Sequence, residues 1–230
     1  MSEINKVDEN DYRLNAALFR DFSMLTSAYL LEGCHLNYRK TTNYGIGMDF
    51  VPEKIAVPMK TLADRLRYGQ PLLEYAYGYA LYNWKMVNDP NPESIHYKNE
   101  DIITNIEKPL ENLQLIRKFH GCPDEAGFVL LHVAIVSQTN NQAQAYEKMF
   151  EGASKKDRGL MNAGLKQHLE TLEHMNNIFA KMWKMSSPTK YLNFRTFIMG
   201  IQGNDDIFPN GVLYKGVSDT PLKYRGETGA

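Results

Sequence analysis

One titratable side chain stands inside an apolar stretch of this sequence, where a polar group needs a specific partner. His132 lies in the run from Phe128 to Val136, and helical spacing puts these three residues on one face. The imidazole is either a core histidine satisfied by a hydrogen bond or an acid, base or donor in a buried ligand pocket. The residues alone leave both interpretations open.

Arg195 poses a similar question, because it lies between Phe194 and the apolar run Thr196 to Met199. A guanidinium keeps its charge, so its burial requires an anionic partner. That partner is either a protein carboxylate or the carboxylate of a bound substrate. The sequence favours neither.

The glycines near the end of the sequence, in Arg225-Gly226-Glu227-Thr228-Gly229-Ala230, would let the backbone approach a ligand closely, although an ordinary turn is the simpler interpretation. The six histidines form no HxxxH or HExxH pair, and Cys34 and Cys122 form no CxxC pair. We therefore predict no protein-built metal site from local spacing.

Composition limits the function classes. The 230 residues include 26 Lys and Arg against 27 Asp and Glu, for a net charge of −1, with 43% hydrophobic and 23% charged residues. These values predict a globular protein with a sizeable core and give no electrostatic reason to expect nucleic acid or an anionic membrane as partner. Two cysteines and a polar start without a signal sequence favour a cytoplasmic protein, and no apolar run is long enough to span a bilayer.

Apolar residues recur at helical spacing along most of the sequence, which predicts an all-α bundle of five to seven helices in one domain spanning 1–230. Pro123 with two following carboxylates is typical of a helix start. At most, 211–214 forms a strand. The expected helices are 14–32, 60–68, 72–87, 100–119, 123–152, 156–184 and 191–200. The first should stop at Gly33. The helix 156–184 has one apolar stripe, formed by Leu165, Leu169, Leu172, Phe179 and Trp183.

Several dispersed segments resemble the indoleamine 2,3-dioxygenase family, in the same order and over roughly 12–230. The segments are Lys54-Ile55-Ala56-Val57-Pro58, Leu72-Leu73-Glu74-Tyr75-Ala76, Asn83-Trp84-Lys85, Asp89-Pro90-Asn91-Pro92, Gly127-Phe128-Val129-Leu130-Leu131-His132-Val133, Tyr191-Leu192-Asn193-Phe194-Arg195, Gly203-Asn204, Gly211-Val212-Leu213-Tyr214-Lys215-Gly216 and the terminal glycine motif. Dispersed segments in a fixed order are more specific than one motif.

The resemblance implies a haem b protein that inserts both atoms of O₂ across the indole 2,3 bond, turning L-tryptophan or a related indole into an N-formylkynurenine-type product. Its partners would be an indole amino acid and O₂. In the family's site, Phe128 would pack on the indole ring and Arg195 would hold the substrate carboxylate. His132 replaces the serine of the animal indoleamine enzymes and is similar to the histidine of tryptophan dioxygenases that bonds the indole N–H; it would bond either that N–H or iron-bound oxygen.

The resemblance assigns further residues to the same pocket. Tyr191 would line the wall and Tyr79 falls near a substrate position. Thr228 would close over the substrate, with Gly226 and Glu227 at the haem edge.

Three departures from the family pattern bear on the substrate. Lys190 stands where an aromatic residue is frequent, Glu227 replaces a serine, and His132 replaces the serine of the animal enzymes. They also fit a haem-dependent enzyme of secondary metabolism acting on a substituted tryptophan, as in the pyrrolnitrin pathway, or a truncated relative without catalysis.

The family's proximal haem histidine lies downstream of the glycine loop, and no histidine here matches it. We therefore expect the axial ligand outside this chain and a domain that is incomplete at its C-terminus. An apolar helix face left uncovered in this way would favour association, which leaves a homo-oligomer open.

Overall fold

The computed structural model describes residues 3–68, 75–88 and 113–224, and helices account for most of them, which confirms the all-α class. The α-helices are α1 (Tyr12–Thr41), α2 (Glu53–Arg65), α3 (Pro123–Val136), α4 (Thr139–Lys155), α5 (Arg158–Phe179), α6 (Met182–Met185) and α7 (Pro188–Tyr191). Shorter elements are the 3₁₀ segments Glu3–Lys6 and Arg195–Ile198, the π-helical segment Tyr75–Leu81, and the strands β1 (Phe50–Val51), β2 (Trp84–Met86), β3 (Leu113–Leu115) and β4 (Leu213–Tyr214).

The chain forms two compact units. The first combines three separate stretches, Met1–Lys85, Leu115–Gly121 and Thr189–Gly229, and the second contains Cys122–Pro188. In the first unit, β1 and β4 pair in parallel, so that Phe50 is aligned with Leu213 and Val51 with Tyr214. Strands β2 and β3 form another two-stranded sheet.

The first helix is longer than its sequence pattern predicts. Asp11 caps α1 by accepting a hydrogen bond from the Leu14 amide at 2.9 Å, and the helix ends where Thr42 adopts a φ of 61°. The predicted stop at Gly33 is wrong: a Cβ at this glycine would meet nothing within 4 Å, and the helix simply continues through it. A glycine inside a helix costs only about 0.5–1 kcal/mol, which the packing of α1 outweighs.

Helix α2 also begins earlier than expected. It includes Pro58, whereas the sequence pattern predicted a start at residue 60. A proline removes one hydrogen bond of the helical ladder, and here Pro58 is buried together with Met59 and Leu62. Burial of this apolar face maintains the helix.

The helix predicted over 72–87 is confirmed only for the first part of its described residues, and the helix predicted over 100–119 is wrong where the structure describes it. A short π-helical segment is followed by β2, and β3 replaces the end of the second helix. The buried Asn83 side chain explains the change, since it donates to the Arg117 carbonyl at 3.0 Å and accepts from the Arg117 amide at 2.7 Å. These bonds require backbone groups that a helix would have used itself.

The Cys122–Pro188 stretch of the second unit is mostly helical. Helix α3 starts at Pro123 as predicted, and its residues Leu131, Ala134 and Ile135 form a core cluster with Ile178 of α5. Helices α4 and α5 follow one another through a two-residue turn at Lys156 and Asp157 and pack closely. No helix within the described ranges has the length and apolar character that a membrane span requires.

Candidate functional site

His132 is fixed to its own helix. Its Nδ1 lies 2.8 Å from the Phe128 carbonyl oxygen, and the two rings are 4.6 Å apart between centroids. A carbonyl oxygen only accepts, so Nδ1 carries the proton and Nε2 of the neutral ring carries the lone pair. Burial lowers the pKa of His132 below its usual 6.5, and the bond to Phe128 opposes this only in part. The imidazole is therefore neutral at pH 7, with an acceptor nitrogen at Nε2.

Two contacts that the sequence did not indicate hold α3 in place. The Asp124 carboxylate accepts hydrogen bonds from the Ser187 amide and hydroxyl, both at 2.9 Å. One turn along α3, a Cβ at Gly127 would lie 2.1 Å from the Met185 carbonyl oxygen, so only glycine fits there. A glycine inside an otherwise apolar helix was the available signal for this close approach.

Arg195 and Tyr191 belong to the first unit and interact electrostatically. Burial raises the pKa of Tyr191, while the positive charge of Arg195 acts in the opposite direction. Arg195 is partly buried, and no carboxylate among the described residues lies within ion-pair distance of its guanidinium. Of the two partners that the sequence left open, the described structure thus provides no protein carboxylate.

A polar cluster next to Arg195 was not predicted from the sequence. The Thr196 hydroxyl lies 3.5 Å from His35 Nδ1. Burial raises the pKa of the nearby Tyr44, and Thr196 and Arg195 act in the opposite direction. Burial and the nearby Arg39 and His120 lower the pKa of His35. Because these residues are up to 161 positions apart, no local spacing could have indicated the cluster.

Tyr79 is fully buried in the first unit, where its ring lies 5.4 Å from that of Phe119. The Phe119 ring stacks in turn on Phe197 at 4.8 Å. Tyr79 is therefore a packed core residue in the described structure. The loop residues Gly226, Glu227 and Thr228 lie outside the described residues.

The predicted site residues thus fall into two groups, each described within its own unit. Phe128 and His132 contact one another on α3, and Tyr191 and Arg195 belong to the other group. Within the described ranges, no three His, Cys, Asp or Glu side chains are arranged to hold a metal ion. The first group offers an aromatic face with an acceptor nitrogen, and the second offers a cationic partner for a carboxylate.

Comparison with known proteins indicates the family of this chain. The family model of indoleamine 2,3-dioxygenase matches residues 12–230. Rat indoleamine 2,3-dioxygenase 1 is 27% identical over 177 residues, covering 76% of this chain and 39% of the rat protein. Mouse indoleamine 2,3-dioxygenase 2 is 24% identical over 181 residues, covering 78% of this chain and 40% of the mouse protein.

A myoglobin of the abalone Haliotis diversicolor is 24% identical over 148 residues, or 64% of this chain and 39% of that protein. The chain thus spans about two fifths of the length of the curated relatives it matches. The match to the family model nevertheless covers nearly the whole chain, and the chain belongs to the indoleamine 2,3-dioxygenase family.

Proposed function

We propose that this chain contributes the substrate-facing part of a haem-dependent dioxygenase that oxidises the indole ring of L-tryptophan or a related indole to an N-formylkynurenine-type product. The observation that carries the proposal is the state of His132. Its neutral ring has Nδ1–H engaged by the Phe128 carbonyl, so Nε2 is a hydrogen-bond acceptor. An indole N–H is a donor and needs such an acceptor.

This state of His132 favours one of its two suggested roles. Iron-bound oxygen needs a donor, whereas Nε2 of the neutral ring accepts. We therefore assign His132 to the indole N–H, with the neighbouring Phe128 ring packing on the indole. The clamp at Asp124 and the close contact at Gly127 keep α3, and with it both side chains, in position.

The residues on α3 fit one face of a haem. Phe128 and His132 are partly exposed on a helix whose other apolar side chains are mostly buried, so they provide a flat apolar surface beside a polar nitrogen. Haem supplies the binding and activation of O₂. Membership of the family and the match to a myoglobin support a haem protein. We place the axial ligand outside this chain, and we assign Gly226 and Glu227 to the haem edge and Thr228 to the substrate loop.

Arg195 is assigned to the substrate carboxylate. Its planar guanidinium suits bidentate binding of a carboxylate, and the described residues provide no competing anion. Tyr191, whose hydroxyl stays protonated because burial raises its pKa, would line the pocket beside it. Tyr79 would act indirectly, through the Phe119 ring, which stacks on Phe197 in the segment that begins at Arg195.

A haemin titration followed in the Soret region tests the proposal. It is run on the 230-residue chain with and without free imidazole, which substitutes for an axial ligand from elsewhere. We expect a saturable band with imidazole and a further shift of that band with L-tryptophan. His132→Ala should retain the band and weaken the tryptophan shift. If no saturable band forms under either condition, the proposal is wrong.

Arg195→Ala tests the carboxylate assignment in the same titration. Loss of a charge-assisted bond predicts tryptophan binding weakened by about 10-fold or more, because such bonds contribute about 1.5–3 kcal/mol. Tryptamine, which lacks the carboxylate, should bind the variant and the parent protein about equally. Arg195→Lys keeps the charge without the planar fork and should lie between them. Equal losses for both ligands would contradict the assignment.

A further inference from the structure

Helix α5 has a row of large apolar side chains that the described structure leaves uncovered. Leu165, Leu169, Leu172 and Phe179 are 46%, 58%, 42% and 53% exposed, respectively. At 100° per residue they lie within an arc of about 80°. We call these four residues the α5 stripe. Isolated exposed leucines are ordinary on a protein surface, but four on one helix face form a patch.

The packing of α5 on α4 explains why the α5 stripe is exposed. The two helices meet through small residues: a Cβ at Gly164 would lie 2.8 Å from the Ala145 carbonyl oxygen, and one at Gly152 would lie 2.5 Å from the Met161 amide nitrogen. Ala145 itself is fully buried. Because the helices approach so closely through glycine and alanine, the four large side chains of the stripe are left about half exposed.

The stripe has the spacing of a coiled-coil seam. Leu165, Leu169, Leu172, residue 176 and Phe179 follow one another at intervals of four, three, four and three, which is the heptad pattern of alternating d and a positions. Residue 176 is an exposed asparagine at an a position. An asparagine at this position selects a partner that presents another polar group at the same level.

A second copy of the same helix, parallel and in register, would place a residue of the same kind opposite each residue of this seam. Each apolar residue of the stripe would meet its own counterpart, and Asn176 would meet Asn176 of the other copy. On the flanks, Glu173 would face His168 of the other copy and Lys166 would face Met161, so no like charges meet.

The antiparallel alternative would place Lys166 opposite Glu173, but it would also place Asn176 opposite Leu165. A surface ion pair contributes little because water screens it, whereas burying an amide without a hydrogen-bond partner is costly. The parallel arrangement is therefore favoured.

We propose that the α5 stripe is a self-association surface, through which two copies of this chain pair by their α5 helices in parallel. The pairing is independent of haem and of substrate. A seam of three heptads is short, so we expect association at protein concentrations of roughly 1–100 μM.

Sedimentation velocity across that concentration range tests the pairing. The parent chain should shift from monomer to dimer, and Leu169→Glu should raise the dissociation constant at least 10-fold, because it puts two like charges in the centre of the seam. The matched control is Leu36→Glu, which changes a half-exposed leucine of α1 outside the stripe and should leave the dissociation constant unchanged. A chain that stays monomeric, or equal effects of both variants, would overturn the proposal.

Disulfide formation tests the orientation. Asn176→Cys should give a covalent dimer on mild oxidation, because residue 176 faces itself only in the parallel, in-register pair. Glu170→Cys, on the opposite side of α5, should not, and the parent chain controls for Cys34 and Cys122. A dimer in which Asn176→Cys does not cross-link would overturn the parallel arrangement.

Discussion

At the scale of single residues, His132 links the stability of the fold to pH. Its pKa lies below 6.5 in the folded protein because the ring is buried, and returns to about 6.5 on unfolding. Between these two values the unfolded chain binds more protons than the folded one. The stabilisation from the neutral imidazole is therefore fully present above about pH 6.5 and is lost as the pH falls through the folded pKa.

We therefore expect the urea midpoint of the parent chain to decrease when the pH is lowered from about 7.5 to about 5.5. The midpoint of His132→Gln should decrease less, because glutamine does not titrate. Some dependence should remain, since burial also lowers the pKa of His35. His174→Gln, which removes an exposed imidazole of α5, is the control and should keep the parent dependence. An unchanged pH dependence in His132→Gln would show that this ring is not held neutral by burial.

At the scale of elements, the contact of α4 with α5 depends on the absence of a side chain at Gly164. An added Cβ would meet the Ala145 carbonyl oxygen and the Met149 amide at 2.8 and 2.9 Å, and neither backbone group can move without separating the helices. We expect Gly164→Ala to lower the free energy of unfolding by about 1–3 kcal/mol, measured by urea denaturation.

Gly33→Ala is the matched helical control for that substitution. A Cβ at Gly33 meets nothing within 4 Å, so alanine should raise the free energy of unfolding by about 0.5–1 kcal/mol through its better helix propensity. The opposite signs separate close packing from propensity. If both variants were stabilised, the helices would not meet as closely as described.

The elements also show what the sequence could and could not predict. Helix α3 was predicted correctly at its start because Pro123 and the following carboxylates are local signals. The end of α1 and the start of α2 were mispredicted because Gly33 and Pro58 act as breaks only where tertiary packing does not outweigh their local cost, about 1 kcal/mol for glycine and about 3 kcal/mol for proline. The stripe on α5 was visible in the sequence, but which side of the helix packs on α4 is set by Gly164 and Ala145.

At the scale of the whole molecule, the first unit is assembled from stretches that are distant in sequence. The candidate residues on α3 follow from one helical periodicity, so His132 and Phe128 could be paired from the sequence. The surroundings of Arg195 could not, because His35 and Thr196 meet across 161 positions. Contacts of this kind depend on the completed fold.

Arg117 shows which interactions hold such an assembly together. Its backbone is bonded twice by the buried Asn83 side chain, and its guanidinium pairs with Asp21 at 2.7 Å. The Asp21 side chain is 32% exposed and that of Arg117 54% exposed, so water screens their ion pair and it contributes little to stability. Losing the Asn83 side chain would leave two backbone groups without partners at a cost of about 1–3 kcal/mol.

Asn83→Ala should therefore lower the free energy of unfolding more than Arg117→Gln, although both variants remove a contact of Arg117. Arg117→Gln leaves the pair of Asp21 with the buried Arg20 intact. Urea denaturation at neutral pH measures both variants. Added salt should weaken only the contribution of the Arg117–Asp21 pair, because ions screen an exposed charge pair but not a buried amide bond. If Arg117→Gln were the more damaging change, the segment around Arg117 would be held by charge, and the β2–β3 sheet would not depend on the Asn83 side chain.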